Sequence, residues 1–310
     1  MRELIDYDLW GWTPHPEVWV IVLVALAVGG YVARVLAPAA GEVIERRRKW
    51  CYLAAVGLLW LASGWPMHDI SEEYLYSVHM VQHLLITLVV PPLLLLAVPE
   101  WIARRVVDPS RPLARRLLRP ITVGVTFNLV VAITHIPWVV NTSADNGVFH
   151  YTAHLVLFVT AIAMWLPVCG PFEELRLQPL PKMFYLFAMS VLPTVPAGFL
   201  TFAQTPIYEA YDTPLRLWGV TVANDQQMAG LIMKIAGGLY LWTIIAGVFF
   251  RWSARQRAAH GAGIAPAPDS GEGEIPQPVP ATADVLTYTQ VVEAFEQAGE
   301  PPAEHREQRE

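Results

Sequence analysis

Two pairs of histidines in this chain are spaced by one turn of an α-helix. His79 and His83 form the first pair, His150 and His154 form the second, and each pair opens a long apolar segment. Residues four apart share one face of a helix and lie about 6 Å apart along it, so each pair can direct two imidazoles into the same space. Because histidine is costly inside a bilayer, two such pairs at one depth predict a functional site for metal ligation or proton handling.

Methionines near several histidines extend the predicted donor set. Thioether and imidazole together suit Cu(I), whereas imidazole alone also suits Cu(II), Zn(II) and haem iron. The predicted metal-ligating residues are His68, His79, His83, His150, His154, Met67, Met80, Met228 and Met233. We interpret His15 and His135 as hydrogen-bonding residues rather than ligands, because a single interfacial histidine usually has that role.

Polar residues in the last apolar segment are predicted to support the site. They are Asp225, Gln226 and Lys234. Lys234 must snorkel, face water or find a partner, which we expect on another helix because Asp225 is too far away along the same one. Asp225 has the alternative interpretation of an N-cap for its own helix. Close approach of a neighbouring helix is expected at Gly230, Gly237 and Gly238.

The composition indicates a membrane protein. Hydrophobic residues make up 54% of the chain, charged residues 15%, and 12 residues are Trp, which is too apolar for an ordinary soluble domain of 310 residues. We predict an all-α, polytopic membrane helix bundle of about seven transmembrane helices, each near the length that crosses the hydrocarbon core. The predicted spans are 17–37, 50–66, 78–98, 121–141, 149–169, 183–203 and 228–250.

The basic residues predict the orientation of these spans. One set of connections carries most of the Lys and Arg, and the opposite set holds only Arg2 and Arg216. The positive-inside rule then places the N-terminus outside and the C-terminus in the cytoplasm. The predicted parts are an extracytoplasmic segment (1–16), a transmembrane domain (17–255) and an acidic, largely disordered cytoplasmic tail (256–310) with a short helix near 285–298.

This topology separates the histidines from the cysteines. Cys51 and Cys169 fall at cytoplasmic ends, so no thiolate is available on the histidine side, which argues against a thiolate-based copper carrier. Seven of the nine histidines map to the outer side: His15, His68, His79, His83, His135, His150 and His154.

Three separated motifs carry a resemblance to a known family. They are His79-Met80-Val81-Gln82-His83-Leu84-Leu85, the His150/His154 pair leading to Trp165-Leu166-Pro167, and Asp225-Gln226-Gln227-Met228-Ala229-Gly230. Over residues 10–255 the chain resembles the CtaG-like cytochrome c oxidase assembly factors, which are multi-spanning bacterial proteins associated with caa-type oxidase. The resemblance implies a multi-pass protein of the cell membrane that helps a haem-copper oxidase to mature, with copper delivery to the oxidase as its task.

The expected mechanism combines the resemblance with the donor set. Copper would be captured at the outer face with the help of Met67 and His68, and the two histidine pairs would then hold it. Methionine sulfur would favour the reduced ion. The expected partners are oxidase subunits, extracytoplasmic copper chaperones and the lipid bilayer.

Three other interpretations stay open. A membrane b-type cytochrome would bind haem b through histidines of two facing helices, although i,i+4 pairs crowd the faces of a single iron. In a metal or proton transporter, polar residues would continue across the whole bilayer. Here the histidines stop at mid-depth, which suits delivery better than transport. A metal-free assembly scaffold would use the histidines only for hydrogen bonds. No nucleophile–base constellation or nucleic-acid motif is evident, so we expect neither an enzyme nor a nucleic-acid-binding protein.

Overall fold

The chain is helical throughout the part that the structure describes. A computed structural model describes residues 12–212 and 217–262, and no strand occurs among them, which confirms the predicted all-α class. The predicted tail helix near 285–298 lies outside the described residues. In chain order the main helices are α1 (Pro16–Ala39), α2 (Arg46–Ser63), α3 (Met67–Glu73), α4 (Tyr76–Ala97), α5 (Glu100–Val106), α6 (Pro112–Leu117), α7 (Pro120–Thr134), α8 (Pro137–Asp145), α9 (Gly147–Cys169), α10 (Pro179–Phe202) and α11 (Val222–Ala258).

Five of these helices are long and apolar enough to cross a membrane: α1, α4, α9, α10 and α11. Large apolar side chains cover their outer surfaces; Leu23 is 60% exposed and Phe184 is 72% exposed. Such a continuous apolar exterior suits contact with lipid. The predicted span 50–66 falls in α2, which is too polar to qualify by itself because its first four residues are basic. The number of seven spans therefore stays a prediction.

The predicted span 121–141 is not one straight helix. It breaks into α7 and α8, which are bent by 70° relative to each other and would make a sixth span if the bent pair crosses as one. Pro137 explains the break, since proline cannot donate a backbone hydrogen bond and forces the residue before it out of the helical region. Ile136 accordingly has extended backbone angles, with φ −68° and ψ 131°. His135 lies at this corner.

Helix α4 is at the centre of the bundle and packs against α2, α9 and α11. Trp165 of α9 is almost fully buried, and its indole N–H donates to the carbonyl oxygen of Thr87 in α4 at 3.0 Å. Thr87 belongs to a π-helical turn, Leu85–Val89, that interrupts α4. This hydrogen bond fixes α9 against α4 at a point further along both helices than the histidine pairs.

The histidines and the basic residues occupy opposite ends of the bundle. Helices α4 and α9 both begin near their histidines, and their far ends meet a cluster of basic side chains. One surface pocket there is lined by Glu45, Arg47, Arg48, Leu95, Leu96, Val168, Cys169, Pro171, Arg176 and Lys182. Arg104 of α5 also donates to Glu174 at 2.6 Å beside this end. The arrangement agrees with the charge argument for orientation, which itself stays a prediction.

Candidate metal site

The first histidine pair is positioned by a carboxylate from another helix. Asp225 of α11 is buried, and its two oxygens accept the backbone N–H groups of Tyr76 at 2.7 Å and Ser77 at 3.1 Å. These N–H groups have no partner within α4 because they belong to its first turn. The N-cap of α11 is instead Thr221, whose hydroxyl accepts from Asn224. Asp225 therefore caps the helix that carries the histidines, and the interpretation as a cap of its own helix is wrong.

The second histidine pair begins α9 in a similar way. Asn146 is the N-cap of α9, and its side-chain oxygen accepts the backbone N–H of Phe149 at 3.1 Å. His150 and His154 then follow in the first two turns. Both pairs thus start a helix whose first turn is fixed by a side-chain cap, which limits how far the imidazoles can shift.

The four histidines of the two pairs form one cluster. The ring centroids lie 4.4 Å apart for His79 and His83, and 4.3 Å apart for His150 and His154. Across the two helices, the centroids of His83 and His154 are 4.7 Å apart. One ligand nitrogen from each of His79, His83 and His154 lies within 4.8 Å of the other two. Small side-chain adjustments would bring such a set to metal-ligand distances.

A carboxylate that the sequence did not single out joins the two pairs. In Glu72 of α3, one oxygen is 3.2 Å from Nδ1 of His79 and the other is 3.4 Å from Nδ1 of His150. A histidine whose Nδ1–H donates to a carboxylate keeps Nε2 as its ligand atom, a common arrangement in metal sites. Burial by itself would raise the pKa of the Glu72 carboxyl, but the hydrogen bond from His79 and the nearby imidazole charges lower it to about 2.

Glu72 lies seven residues before His79 in an acidic stretch of the connection between α2 and α4. The signal that could have found it is its spacing, since seven residues before His79 corresponds to about two helical turns. It was missed because nothing in the sequence shows that this connection folds back over both histidine pairs.

A second group of possible ligands lies next to the cluster. Nε2 of His15 is 2.6 Å from a carboxylate oxygen of Asp69, and the rings of His15 and His68 are 4.8 Å apart. The Thr13 hydroxyl donates to the same carboxylate. His68 is shared, because its ligand atoms also lie within reach of Glu72 and His150. Burial lowers the pKa of His68 and so favours the neutral imidazole that a metal needs.

Two small cavities adjoin the histidines. The first, which we call the histidine cavity, has a volume of about 30 Å³ and is lined by Glu72, His79, His83, His135, His150, His154 and other residues. The second, which we call the methionine cavity, has a volume of about 70 Å³ and is lined by Met80, His83, His135, Met164, Met189, Met233, Lys234 and other residues. Met80, His83 and His135 line both.

The structure separates the predicted methionine ligands. Met80 and Met233 are buried and line the methionine cavity. Met228 is 48% exposed and lines neither cavity, although it is only five residues from Met233. Met67 begins α3 beside His68 and lines neither cavity. Two of the four predicted methionines are therefore brought to the histidines, and two are not.

The supporting polar residues fix the surroundings of the cluster. Gln226 accepts the backbone N–H of Ile207 at 2.7 Å and so holds the segment between α10 and α11. In that segment, the Tyr208 hydroxyl donates to the carbonyl oxygen of His135 at 2.9 Å, and the Tyr211 hydroxyl donates to that of Ser71 at 3.1 Å. Burial raises the pKa of Tyr208 to about 12, so it stays a neutral donor. The tyrosines cover the histidine cluster from one side.

Comparison with known proteins identifies the family. The model of the cytochrome c oxidase caa3 assembly factor family (Caa3_CtaG) matches residues 22–255. The chain belongs to this family. The match contains both histidine pairs, Glu72 and the Asp225 cap, and it confirms the resemblance carried by the three motifs. Neither the comparison with curated proteins nor the comparison with solved structures gives a match.

Proposed function

We propose that this cytochrome c oxidase assembly factor binds a copper ion in the histidine cavity and hands it to an oxidase subunit. The observation that carries the proposal is the convergence of four histidines, from two separate helices, around one carboxylate. Nε2 of His83 is buried and has no hydrogen-bond partner among the described residues. A buried ring nitrogen without a partner is costly, and a metal ion bound to it would remove that cost.

The donor set suits copper in a site that must also release it. Imidazole binds both oxidation states of copper as well as Zn(II), so the proposal of copper rests on the family's task and not on the ligands alone. Glu72 supplies negative charge beside the imidazoles and orients two of them. The ion would be held only by side chains. These can change rotamer and so release the ion to the ligands of a docking partner.

The contacts between the rings support a metal ion over haem. The imidazoles of His83 and His154 are in contact across the two helices, and the cavity between them holds about 30 Å³. That volume has room for a water molecule or a single ion and is far too small for a porphyrin. Haem ligation would require α4 and α9 to separate.

The setting of this function follows from the family and from the charge distribution. We place the protein in the bacterial cell membrane, with the histidine end outside and the C-terminus in the cytoplasm. The partners are subunits of cytochrome c oxidase and extracytoplasmic copper chaperones that supply the ion. The role is non-catalytic, since binding and transfer of an ion break no covalent bond.

The test is metal analysis with an optical spectrum on detergent-purified protein. Under oxidising conditions, where the ion is Cu(II), we expect about one copper per chain in the wild type and no Soret band. A His79→Ala/His83→Ala variant should lose this copper. The matched control is Thr152→Ala, which lies between His150 and His154 in α9, is exposed and bonds only within its own helix.

Each outcome has a distinct meaning. Copper that is lost in the double variant and kept in Thr152→Ala supports the proposal. A Soret band in the wild type would replace it with a b-type cytochrome. Absence of both metal and Soret band under oxidising and reducing conditions would overturn it in favour of a metal-free scaffold.

A further inference from the structure

The methionine cavity adjoins the histidine cavity and holds a second set of donor atoms. Its lining comes from five helices, α4, α7, α9, α10 and α11. The volume of about 70 Å³ is enough for an ion with a partial ligand shell. The proposed function uses only the histidine cavity and leaves these donors unexplained.

His135 offers the clearest sign of a ligand in this cavity. It is only 9% exposed, and its Nδ1 is 2.7 Å from the carbonyl oxygen of Val131. Because a carbonyl can only accept, Nδ1 carries the proton and Nε2 carries the lone pair. That Nε2 is buried without a hydrogen-bond partner among the described residues, as is Nε2 of His83. Donation of Nδ1–H to a backbone carbonyl is the arrangement that fixes a metal-ligating histidine.

The other donors are thioethers. Met80 and Met233 line the cavity from α4 and α11, and both are buried. Met189 also lines it, but its sulfur already accepts a hydrogen bond from Asn128 at 3.2 Å. Thioether sulfur is a soft ligand that selects Cu(I) over harder divalent ions. Met164 of α9 lines it as well and is fully buried. The available set is therefore Nε2 of His135 and the sulfur atoms of Met80, Met164 and Met233.

The charges around the cavity favour a monovalent ion. No carboxylate is among the described residues that line it, whereas Glu72 lines the histidine cavity. Lys234 also lines it, and its ammonium donates to the carbonyl oxygen of Ser190 at 3.3 Å and to the hydroxyl of Thr194 at 2.5 Å. Repulsion from this ammonium is twice as strong for a divalent ion as for a monovalent one.

The backbone is irregular where these donors lie. Helix α4 has its π-helical turn at Leu85–Val89, directly after His83, and α11 has another at Ile232–Ala236, which contains Met233 and Lys234. Such turns cost helix stability and occur often at functional sites. Here they face each other across the same cavity.

We propose that the methionine cavity is a second metal site, for a soft monovalent ion such as Cu(I), with His135, Met80, Met164 and Met233 as ligands. It goes beyond the proposed function because it adds an ion and assigns His135 a role. His83 lines both cavities and connects the two sites. The site stands on its own donors and does not require that the histidine cavity binds copper.

The test uses Ag(I) as a redox-inert soft ion and Zn(II) as a divalent one. The protein carries Cys51→Ser and Cys169→Ser so that no thiol competes. We expect X-ray absorption of the protein with one equivalent of Ag(I) to show sulfur neighbours. A Met80→Leu/Met164→Leu/Met233→Leu variant should lose them and bind Ag(I) at least about tenfold more weakly, while Zn(II) affinity is unchanged. These substitutions conserve volume, so the fold should survive, which thermal unfolding verifies.

Matched variants complete the experiment. Met228→Leu, on the same helix but exposed, should leave the sulfur neighbours and the Ag(I) affinity as in the parent. His135→Ala should weaken Ag(I) and leave Zn(II) unchanged, and Lys234→Leu, which removes the ammonium without adding a sulfur, should strengthen Ag(I). Silver without sulfur neighbours, or sulfur neighbours that persist in the Met80→Leu/Met164→Leu/Met233→Leu protein, would overturn the second site. Loss of Zn(II) in His79→Ala/His83→Ala reports separately on the histidine cavity.

Discussion

The Glu72 carboxylate lies 3.2 Å from Nδ1 of His79, and through this contact the short helix α3 reaches the centre of the histidine cluster. Its second oxygen is 3.4 Å from Nδ1 of His150 on α9. One side chain thus contacts an imidazole from each pair and would bring negative charge to the proposed metal site. Metal-ligating histidines commonly depend on such partners, so the proposal assigns Glu72 the role of orienting His79 and His150.

The first prediction concerns metal affinity in a Glu72→Gln variant. The neutral amide accepts more weakly and lacks the charge, so Zn(II) and Cu(II) should bind about 10- to 100-fold more weakly. Isothermal titration calorimetry of detergent-purified protein measures this. The control is Glu174→Gln, which removes an acidic side chain at the opposite end of the bundle. Equal affinities of wild type and Glu72→Gln would contradict the assigned role.

The second prediction concerns the pH dependence of stability in the metal-free protein. The pKa of Glu72 is lowered from its ordinary 4.5 to about 2. A carboxyl whose folded-state pKa is depressed stabilises the fold fully above its unfolded pKa and loses that contribution as the pH falls toward the folded value. The difference in thermal midpoint between wild type and Glu72→Gln should therefore shrink as the pH falls from about 4.5 to 2. A difference that stays constant down to pH 2 would argue against this ion-pair contribution.

The third prediction concerns the Asp225 cap. Asp225→Ala leaves the backbone N–H groups of Tyr76 and Ser77 buried without an acceptor, at a cost of about 1–3 kcal/mol for each. We expect a lower thermal midpoint and weaker metal binding, because the first turn of α4 positions His79. Asp145→Ala, at an exposed site in α8, is the control. If both variants unfold at the same temperature, the cap does not hold α4.

The fourth prediction concerns the contact between α10 and α11. A Cβ at Gly230 would lie 2.5 Å from the Thr201 hydroxyl and 2.6 Å from the Ala197 carbonyl oxygen, whereas a Cβ at Gly238 meets nothing within 4 Å. Gly230→Ala should destabilise the protein by about 1–3 kcal/mol, since the backbones must move apart. Gly238→Ala should be neutral or slightly stabilising, because alanine is the better helix former. Thermal unfolding in the same detergent compares them, and equal midpoints would rule out the close contact.

Much of the fold and part of the site could be predicted from the sequence. Composition indicated a helical membrane protein, and the i,i+4 spacing placed His79 with His83 and His150 with His154, because a helix puts such residues on one face whatever surrounds it. The three motifs indicated the family. The bend at His135 could also have been found, since Pro137 follows it by two residues, but the apolar character of 121–141 outweighed that signal.

The rest was decided by contacts between residues far apart in the chain. Periodicity states which residues share a face, but not which helices become neighbours or how each is rotated. Asp225 caps a helix that begins 149 residues earlier, and Glu72 reaches two helices at once. The same rotation of α11 buries Met233 in a cavity and leaves Met228 exposed. The sequence alone therefore determined the chemistry of the donors, and only tertiary packing decided which of them share a space, because packing sets the distances on which ligation depends.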